Sequence, residues 1–512
     1  MYEVRLKNIF RNSFFSLLSQ FVLIVIGFFS QRVMNLIMGE ALVGMNSVIS
    51  NIVAILSVSE LGIASAIIFH LYKALAERNE EEIASLMNLY RKAYYIFGTT
   101  ISVAGLCIMP FVHLFLKENS FSLSYIRLIY FLWLARTVLS YLLSYKRSIL
   151  IADQREYVVS IVTLLINFLN YGSIIVILLL WQNYQITLFL NIIVESALNL
   201  WIAWYVDRQY PFLKRYRRRP LHKGMMATIF GDIKNIFVSR FSSKMLVSTD
   251  NLIISSFISV VTVGLYANYS LITQSVTNII LALSNAVQPT VGNMFTEHDQ
   301  NKNYHVLRQM GFVFFLLAAF CSASVMSLIT IFVTDFWLAE SYALSVNIVA
   351  CCTLNCFLFI MNLPTAMVMT VSGMFDKERN ISILYATVNL VISLLLVKPF
   401  GVVGVLVGTS ASYLVQIIFR IWFFFSNYLH RSSRRYVADM LQYGVLAVLE
   451  VIGTYYVVQM VYCEGGPLRF VLAMLVCVCL PNIVNTLIFF RSWRMRSIVR
   501  MLKDLGPRKE IA

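Results

Sequence analysis

The chain reads as an all-α polytopic membrane protein of about fourteen transmembrane helices. They would form two pseudo-symmetric six-helix lobes around a central cavity, followed by a C-terminal helix pair. Three observations predict this. Apolar runs recur from end to end of a chain that is 59% hydrophobic and only 13% charged. Lys and Arg gather in alternate connections between those runs. The stretch from Val43 to Lys92 also has a counterpart 220 positions later.

A helix rises about 1.5 Å per residue, so about 20 apolar residues cross the roughly 30 Å of hydrocarbon in a bilayer. Runs of that kind fall at 13–37, 42–71, 94–116, 124–145, 157–180, 187–206, 236–257, 264–289, 310–334, 343–371, 381–397, 401–425, 440–461 and 470–490. The basic start, Met1 to Asn12, leads into an apolar run that continues past Gly27 with no small-residue cleavage site. An uncleaved first span is therefore expected rather than a signal peptide.

Charge placement predicts orientation. With the N-terminus inside, the outer loops hold only Lys117, Lys398 and Arg469 of the 41 basic residues. Arg32, Arg127, Arg136, Arg240, Lys244 and Arg420 fall within spans, and all the others lie on the inner side. This is the positive-inside pattern, and it predicts a multi-pass protein of the cell membrane with both termini cytoplasmic. The richest inner runs are Lys214-Arg215-Tyr216-Arg217-Arg218-Arg219 and the tail from Arg491 to Lys509. Topology plus attraction to anionic membrane lipids explains them, so the net charge of +16 does not call for nucleic acid.

Other chemistries find little support. The outer loops are short, so reactions on that side would have to fit within the helices. No Gly-rich phosphate loop of the ATPase type occurs, and no soluble region is large enough to hold a nucleotide. Cys351, Cys352 and Cys356 lack a neighbouring His or acid in sequence. Packing is expected of them, and no metal or catalytic residue is assigned.

The repeat divides the chain. A shift of 220 places Val43-Gly44-Met45 on Val263-Gly264-Leu265, Glu77 on Glu297, Asn79 on Asp299 and Met87 on Leu307. With a slip of two, Asn167 falls on Asn389. Asn79 followed by Glu82 has the form of a helix N-cap with a reciprocal acid, and Asp299 can open the equivalent helix. The expected division is an N-terminal lobe at 1–220 (spans 1–6), a C-terminal lobe at 221–435 (spans 7–12), and spans 13–14 with a basic tail at 436–512. Six spans per copy is even, so the copies share an orientation and relate by an axis along the membrane normal.

Ionisable residues inside spans need a partner or water, which makes them candidates for function. Arg127 and Arg420 lie near span ends and are expected to snorkel to the headgroups. Glu450 sits in the appended pair, where another helix could contact it. Arg32, Glu60, Arg136, Glu195, Arg240, Lys244 and Asp250 lie deeper. Arg240 and Lys244, four apart, share a helical face, with Ser239, Ser242 and Ser243 around them. Under the repeat, Arg32 and Asp250 take nearly equivalent depths. One explanation is a set of structural ion pairs fixing helix packing. The other is a cationic cavity in which Arg32, Arg136, Arg240 and Lys244 hold phosphate oxygens, since guanidinium forks match phosphate geometry. Glu60, Glu195 and Asp250 would then be counter-ions, or would bind a coupling proton or sodium ion.

Simpler roles cover the rest. Gly404 and Gly408 suit close helix packing. Pro110, Pro289 and Pro364 should kink or end helices. The segment from Asn79 to Tyr90 carries Ile83, Met87 and Tyr90 at helical spacing and is expected to lie on the inner membrane surface.

Several of these residues carry a family resemblance. Glu60-Leu61-Gly62, Leu71-Tyr72, and especially Thr249-Asp250-Asn251-Leu252-Ile253-Ile254-Ser255 followed by Gly264-Leu265-Tyr266-Ala267-Asn268-Tyr269 resemble polysaccharide-export flippases. These are the repeat-unit (O-antigen and teichoic-acid type) transporters of the multidrug/oligosaccharidyl-lipid/polysaccharide (MOP) superfamily. The likeness spans roughly residues 10–435, and Glu60 and Asp250 fall on its motif positions. It implies the MOP flippase fold, with a V-shaped cavity between two lobes. It also implies a job: moving undecaprenyl-diphosphate-linked oligosaccharide repeat units to the outer leaflet for cell-surface polysaccharide biosynthesis. No cofactor is implied beyond a sodium or proton gradient. A polysaccharide polymerase and glycosyltransferases are the expected protein partners. Fourteen spans also suit the lipid II flippase branch. A cation-coupled multidrug exporter would share the fold but should favour an acidic cavity. An integral-membrane glycosyltransferase or polymerase would want an acidic or metal-binding constellation outside, where Glu40, Glu118, Asp335, Glu340 and Glu464 are scattered.

Overall fold

The computed structural model describes residues 2–57, 63–118, 120–216, 241–242, 245, 248–295, 299–463 and 465–497; side chains at 2–20, 63–66, 69, 143 and 375 fall outside the description. Every regular element among the described residues is helical. The principal helices, in chain order, are α1 (Tyr2–Leu56), α2 (Ile63–Ala76), α3 (Glu80–Ile108), α4 (Leu123–Ser144), α5 (Arg147–Ala152), α6 (Glu156–Trp181) and α7 (Tyr184–Gln209). After helical residues at 248–257 follow α8 (Val260–Phe295), α9 (Gln300–Ile331), α10 (Val346–Val371), α11 (Phe375–Phe400), α12 (Val402–Phe424), α13 (Arg434–Val461) and α14 (Pro467–Phe489).

Twelve described stretches are long and apolar enough to cross a membrane. The protein is thus a multi-pass helical membrane protein. The first stretch, Phe21–Leu56, spans two of the expected runs, because α1 is two helices meeting at Gly39, whose φ of 78° only glycine adopts readily. The other eleven each coincide with an expected span. The expected span at 236–257 lies largely outside the described residues.

Helix starts follow local chemistry. Asn79 caps α3 by accepting the Glu82 N–H at 3.1 Å, and Glu80, Glu81 and Glu82 complement the positive helix end. Asp299 caps α9 in the same way, accepting from Asn301 and Lys302. The two repeat-related positions therefore share a role. The Glu82 carboxylate meets the Asn79 side-chain amide at 3.1 Å, rather than a backbone N–H as in a reciprocal box. Pro110 ends α3 in a 3-10 turn, Met109–Phe115, while Pro289 and Pro364 sit inside α8 and α10.

Two compact units emerge. The first comprises Met1–Asn268 with Ser382–Val405. Within it α1 runs along α6, α4 packs on α3 and α7, α6 on α7, and α2 on α3 and α5. Helices in lipid gain little from apolar burial against one another, so close backbone approach matters more. Gly44 and Gly264 mark such an approach. A Cβ on Gly44 would stand 1.9 Å from the Val260 carbonyl oxygen, and one on Gly264 would stand 1.9 Å from that of Glu40. These are the glycines that the 220-residue shift superposes. Beside them Asn268 accepts from Asn35 at 2.8 Å and from Gln31 at 3.2 Å. Gly404 has the packing role expected of it, since its Cβ would meet the Leu396 carbonyl oxygen at 2.2 Å.

The second unit comprises Tyr269–Ile381 and Leu406–Ala512. Its centre is α9, which packs on α10, α13 and α14. Small buried residues (Ala318, Ala319 and Ala323) and aromatic ones share that helix. Phe315 stacks on Tyr443 of α13 at 4.4 Å, and Phe312 meets Phe489 of α14 at 5.0 Å. The appended pair is therefore built onto α9. Glu450 of α13 is buried and accepts from Asn485 of α14 at 3.1 Å, the interhelical contact expected of it.

Two expectations need correction. Arg420 does not snorkel. It is 8% exposed, forks onto both carboxylate oxygens of Glu378, and donates to Asn362 at 2.6 Å. A guanidinium reaching two partners inside the unit has no need of the headgroup layer. The Asn79–Tyr90 segment is also not a separate surface helix. It runs unbroken into the span as α3, and Ile83, Met87 and Tyr90 are buried within the protein.

Candidate functional site in the first unit

The mid-span charge that the structure places most clearly is Arg136. It lies on α4, and α7 brings Glu195 opposite it, so that the Arg136 Nε donates to Glu195 Oε2 at 2.7 Å. Both side chains are 21% exposed, which leaves the pair partly open rather than sealed. One turn back on α4, the Trp133 ring lies 5.3 Å from the guanidinium carbon, within cation–π range. The Trp133 indole is itself held. Its Nε1 donates to Asn46 Oδ1 of α1 at 2.9 Å, and the Tyr184 hydroxyl donates to the same oxygen. Three side chains from α1, α4 and the start of α7 thus hold the guanidinium's surroundings, with Glu195 behind it.

The pair uses only Nε. Among the described residues, neither terminal nitrogen of Arg136 donates a hydrogen bond. Those two nitrogens form the flat fork that suits two oxygens of a phosphate or carboxylate. Glu195 lowers the cost of a cation at this depth without occupying the fork.

The other expected site residues are distributed differently. Arg32 of α1 is exposed and forms no ion pair among the described residues. Asp250 is 7% exposed, so it sits in a different environment from Arg32 despite the equivalent depth. Its neighbour Thr249 donates to Asn389 Oδ1 at 3.3 Å. Glu60, Arg240 and Lys244 lie outside the described residues, as does Ser243. The structure therefore joins Arg136 to Glu195, and Arg32 forms no salt bridge with Glu195 among the described residues. Among the described residues no group of His, Cys, Asp and Glu could hold a metal ion.

Charge-counting in the spans passed over several participants. Asn46, Trp133 and Tyr184 frame Arg136, and Gln31, Asn35 and Asn268 form their own polar contact. Their signal was available: an amide within an apolar span is costly unless it finds a partner. The Glu378–Arg420–Asn362 network of the second unit, extended by Asn362 donating to Gln416, was hidden because Glu378 falls before the apolar run.

No protein-family model matches the chain, and no curated protein matches it by sequence. Solved structures do. A structure described as the lipid II flippase MurJ in an inward closed conformation aligns with a TM-score of 0.69 at 13% identity, covering 93% of this chain and 98% of that one. The fold is that of the MOP-superfamily transporters. A MATE multidrug-resistance transporter in an inward-facing conformation aligns at 0.64 and 16% identity, covering 78% of this chain and 93% of its own. A MOP transporter from Pyrococcus furiosus, described as having a binding pocket of reversed polarity, aligns at 0.58 and 15% identity, covering 83% and 97%. The helices described here thus take the MOP arrangement. At these identities the likeness concerns fold.

Proposed function

We propose that the protein is a flippase for undecaprenyl-diphosphate-linked oligosaccharide repeat units, working by alternating access between two six-helix lobes. The supporting observation is the free fork of Arg136, held in mid-span by Glu195 and Trp133. A diphosphate carried through hydrocarbon without compensation is prohibitively costly, and a preset guanidinium offsets that cost. In this proposal Arg136 binds the diphosphate together with Arg32, Arg240 and Lys244. Glu195, Glu60 and Asp250 balance charge or bind a coupling proton or sodium ion. The sugar chain occupies water between the lobes, and the polyprenyl tail remains in lipid. Alternating access would require the Gly44–Gly264 crossing to open and close.

A second proposal shares this diphosphate chemistry. The lipid II flippase structure is matched over 93% of this chain, whereas the MATE structure is matched over 78%. Both likenesses concern fold; lipid II is the rival cargo here because a diphosphate-linked lipid, unlike a cationic drug, would use the Arg136 fork. Expression in cells lacking their own repeat-unit flippase, with surface glycan as the readout, tests the first proposal. Wild type should restore glycan, and a variant with Arg32, Arg136, Arg240 and Lys244 all changed to Gln should not. Full export by that variant would remove the proposed site. Rescue of cells depleted of their lipid II flippase, without glycan rescue, would favour the second cargo.

A further inference from the structure

A cavity of about 290 Å³ opens in the first unit, away from Arg136, where the start of α3, the connection from α4 to α5 and the end of α7 come together. Its volume sits at the lower edge of small-ligand sites, about 300–1,000 Å³. The polar lining is Asn88 and Arg91 of α3, Lys146 beside α5, Asp207 of α7, and Lys214 just beyond it. An apolar wall including Met87 completes it.

These groups carry three positive charges against one negative. Asp207 binds both lysines: Lys146 Nζ donates to Oδ1 at 2.6 Å, and Lys214 Nζ lies 3.5 Å from Oδ2. Lys146 also reaches the Ala203 carbonyl at 3.4 Å. The Asn88 amide donates to the Tyr216 carbonyl at 3.1 Å, tying the segment that bears Lys214 to α3. Arg91 lines the same space and forms no ion pair among the described residues. One carboxylate thus holds Lys146 at hydrogen-bond distance and lies near the exposed Lys214, and the Arg91 guanidinium lines the same space. The cavity lies where spans end, so an occupant with an anionic head and an apolar body could seat the head here and leave the body in lipid.

We propose that this cavity binds the phosphodiester of an anionic glycerophospholipid, distinct from the transported cargo. Arg91 and Lys214 are the contributing cations, and Lys146 is the ammonium positioned by Asp207. The shared chemistry is a phosphate oxygen pair, so a free phosphate is the other source to be separated. The site does not depend on the transport proposal, since its residues lie outside the Arg136 cluster.

The test uses the full chain, purified and delipidated in mild detergent, with native mass spectrometry after adding phosphatidylglycerol or phosphatidylcholine of matched acyl chains. Each basic residue beside an anionic lipid is worth roughly fivefold. Wild type should therefore prefer phosphatidylglycerol, and R91Q/K214Q should lose about 25-fold of that preference. R208Q, at the same end of α7 but outside the cavity lining, should keep it. If the double variant does not elute as a folded species, R91Q alone should lose roughly fivefold. Equal preference in wild type and a folded R91Q variant would overturn the site. Displacement of phosphatidylglycerol by millimolar inorganic phosphate, but not by chloride of equal ionic strength, would overturn the lipid as its occupant.

Discussion

Replacing Gly264 by Ala puts one methyl group where the first unit has no room for it. The new Cβ would lie 1.9 Å from the Glu40 carbonyl oxygen and 3.1 Å from the Glu40 Cα. The obstacle is backbone, so no rotamer change relieves it, and the helices must part by about 1 Å or more. Overpacking of this kind costs about 1–3 kcal/mol. The separation also strains Asn35–Asn268 and Gln31–Asn268, which are 2.8 and 3.2 Å long and lie one turn further along. Interhelical hydrogen bonds in membranes are worth about 0.6 kcal/mol each, so the combined loss should approach 3 kcal/mol. Thermal unfolding in detergent, followed by the fraction that remains monodisperse, should show a midpoint several degrees lower. G172A is the matched control, because nothing lies within 4 Å of its Cβ, and it should melt at or above wild type. A G264A protein that melts with wild type would refute the close crossing.

Other outcomes follow from the same packing. E195Q leaves Arg136 without its counter-charge; with both groups partly exposed, the loss should be about 1–2 kcal/mol, below the range for fully buried pairs, and visible as a lower melting midpoint. R420L strands Glu378 and Asn362 and should cost about 2–3 kcal/mol, while R420L/E378L should recover much of it, as a double-mutant cycle of melting midpoints would show. N79A removes the cap of α3 and should cost about 1 kcal/mol, whereas N79D should be near neutral in the same assay.

The helical membrane fold was legible because the bilayer enforces it: only long apolar helices satisfy their own backbone there. The caps at Asn79 and Asp299 were legible because one side chain and one or two following N–H groups decide them. The Gly44–Gly264 alignment came from the repeat, but its meaning as a contact needed the structure. Arg420 was misjudged because distance from a span end is a poor guide when a carboxylate on the next helix, Glu378, is within reach. The α3 start was misjudged because the sequence shows an apolar stripe without showing whether protein or lipid covers it. At the candidate site, Arg136 and Glu195 were legible as costly charges. Asn46, Trp133 and Tyr184 were not, because neutral groups carry no comparable penalty until their partners are known.

Trp133 offers the most direct test of whether Arg136 receives phosphate, since its ring lies against the guanidinium. Undecaprenyl diphosphate titrated into the purified protein should change the tryptophan fluorescence saturably. The change should disappear in W133F, which identifies the reporting ring among seven tryptophans. It should also disappear in R136Q while persisting in R136K at weaker affinity. A saturable Trp133 signal of unchanged midpoint in R136Q would contradict the assignment of Arg136 as the diphosphate anchor.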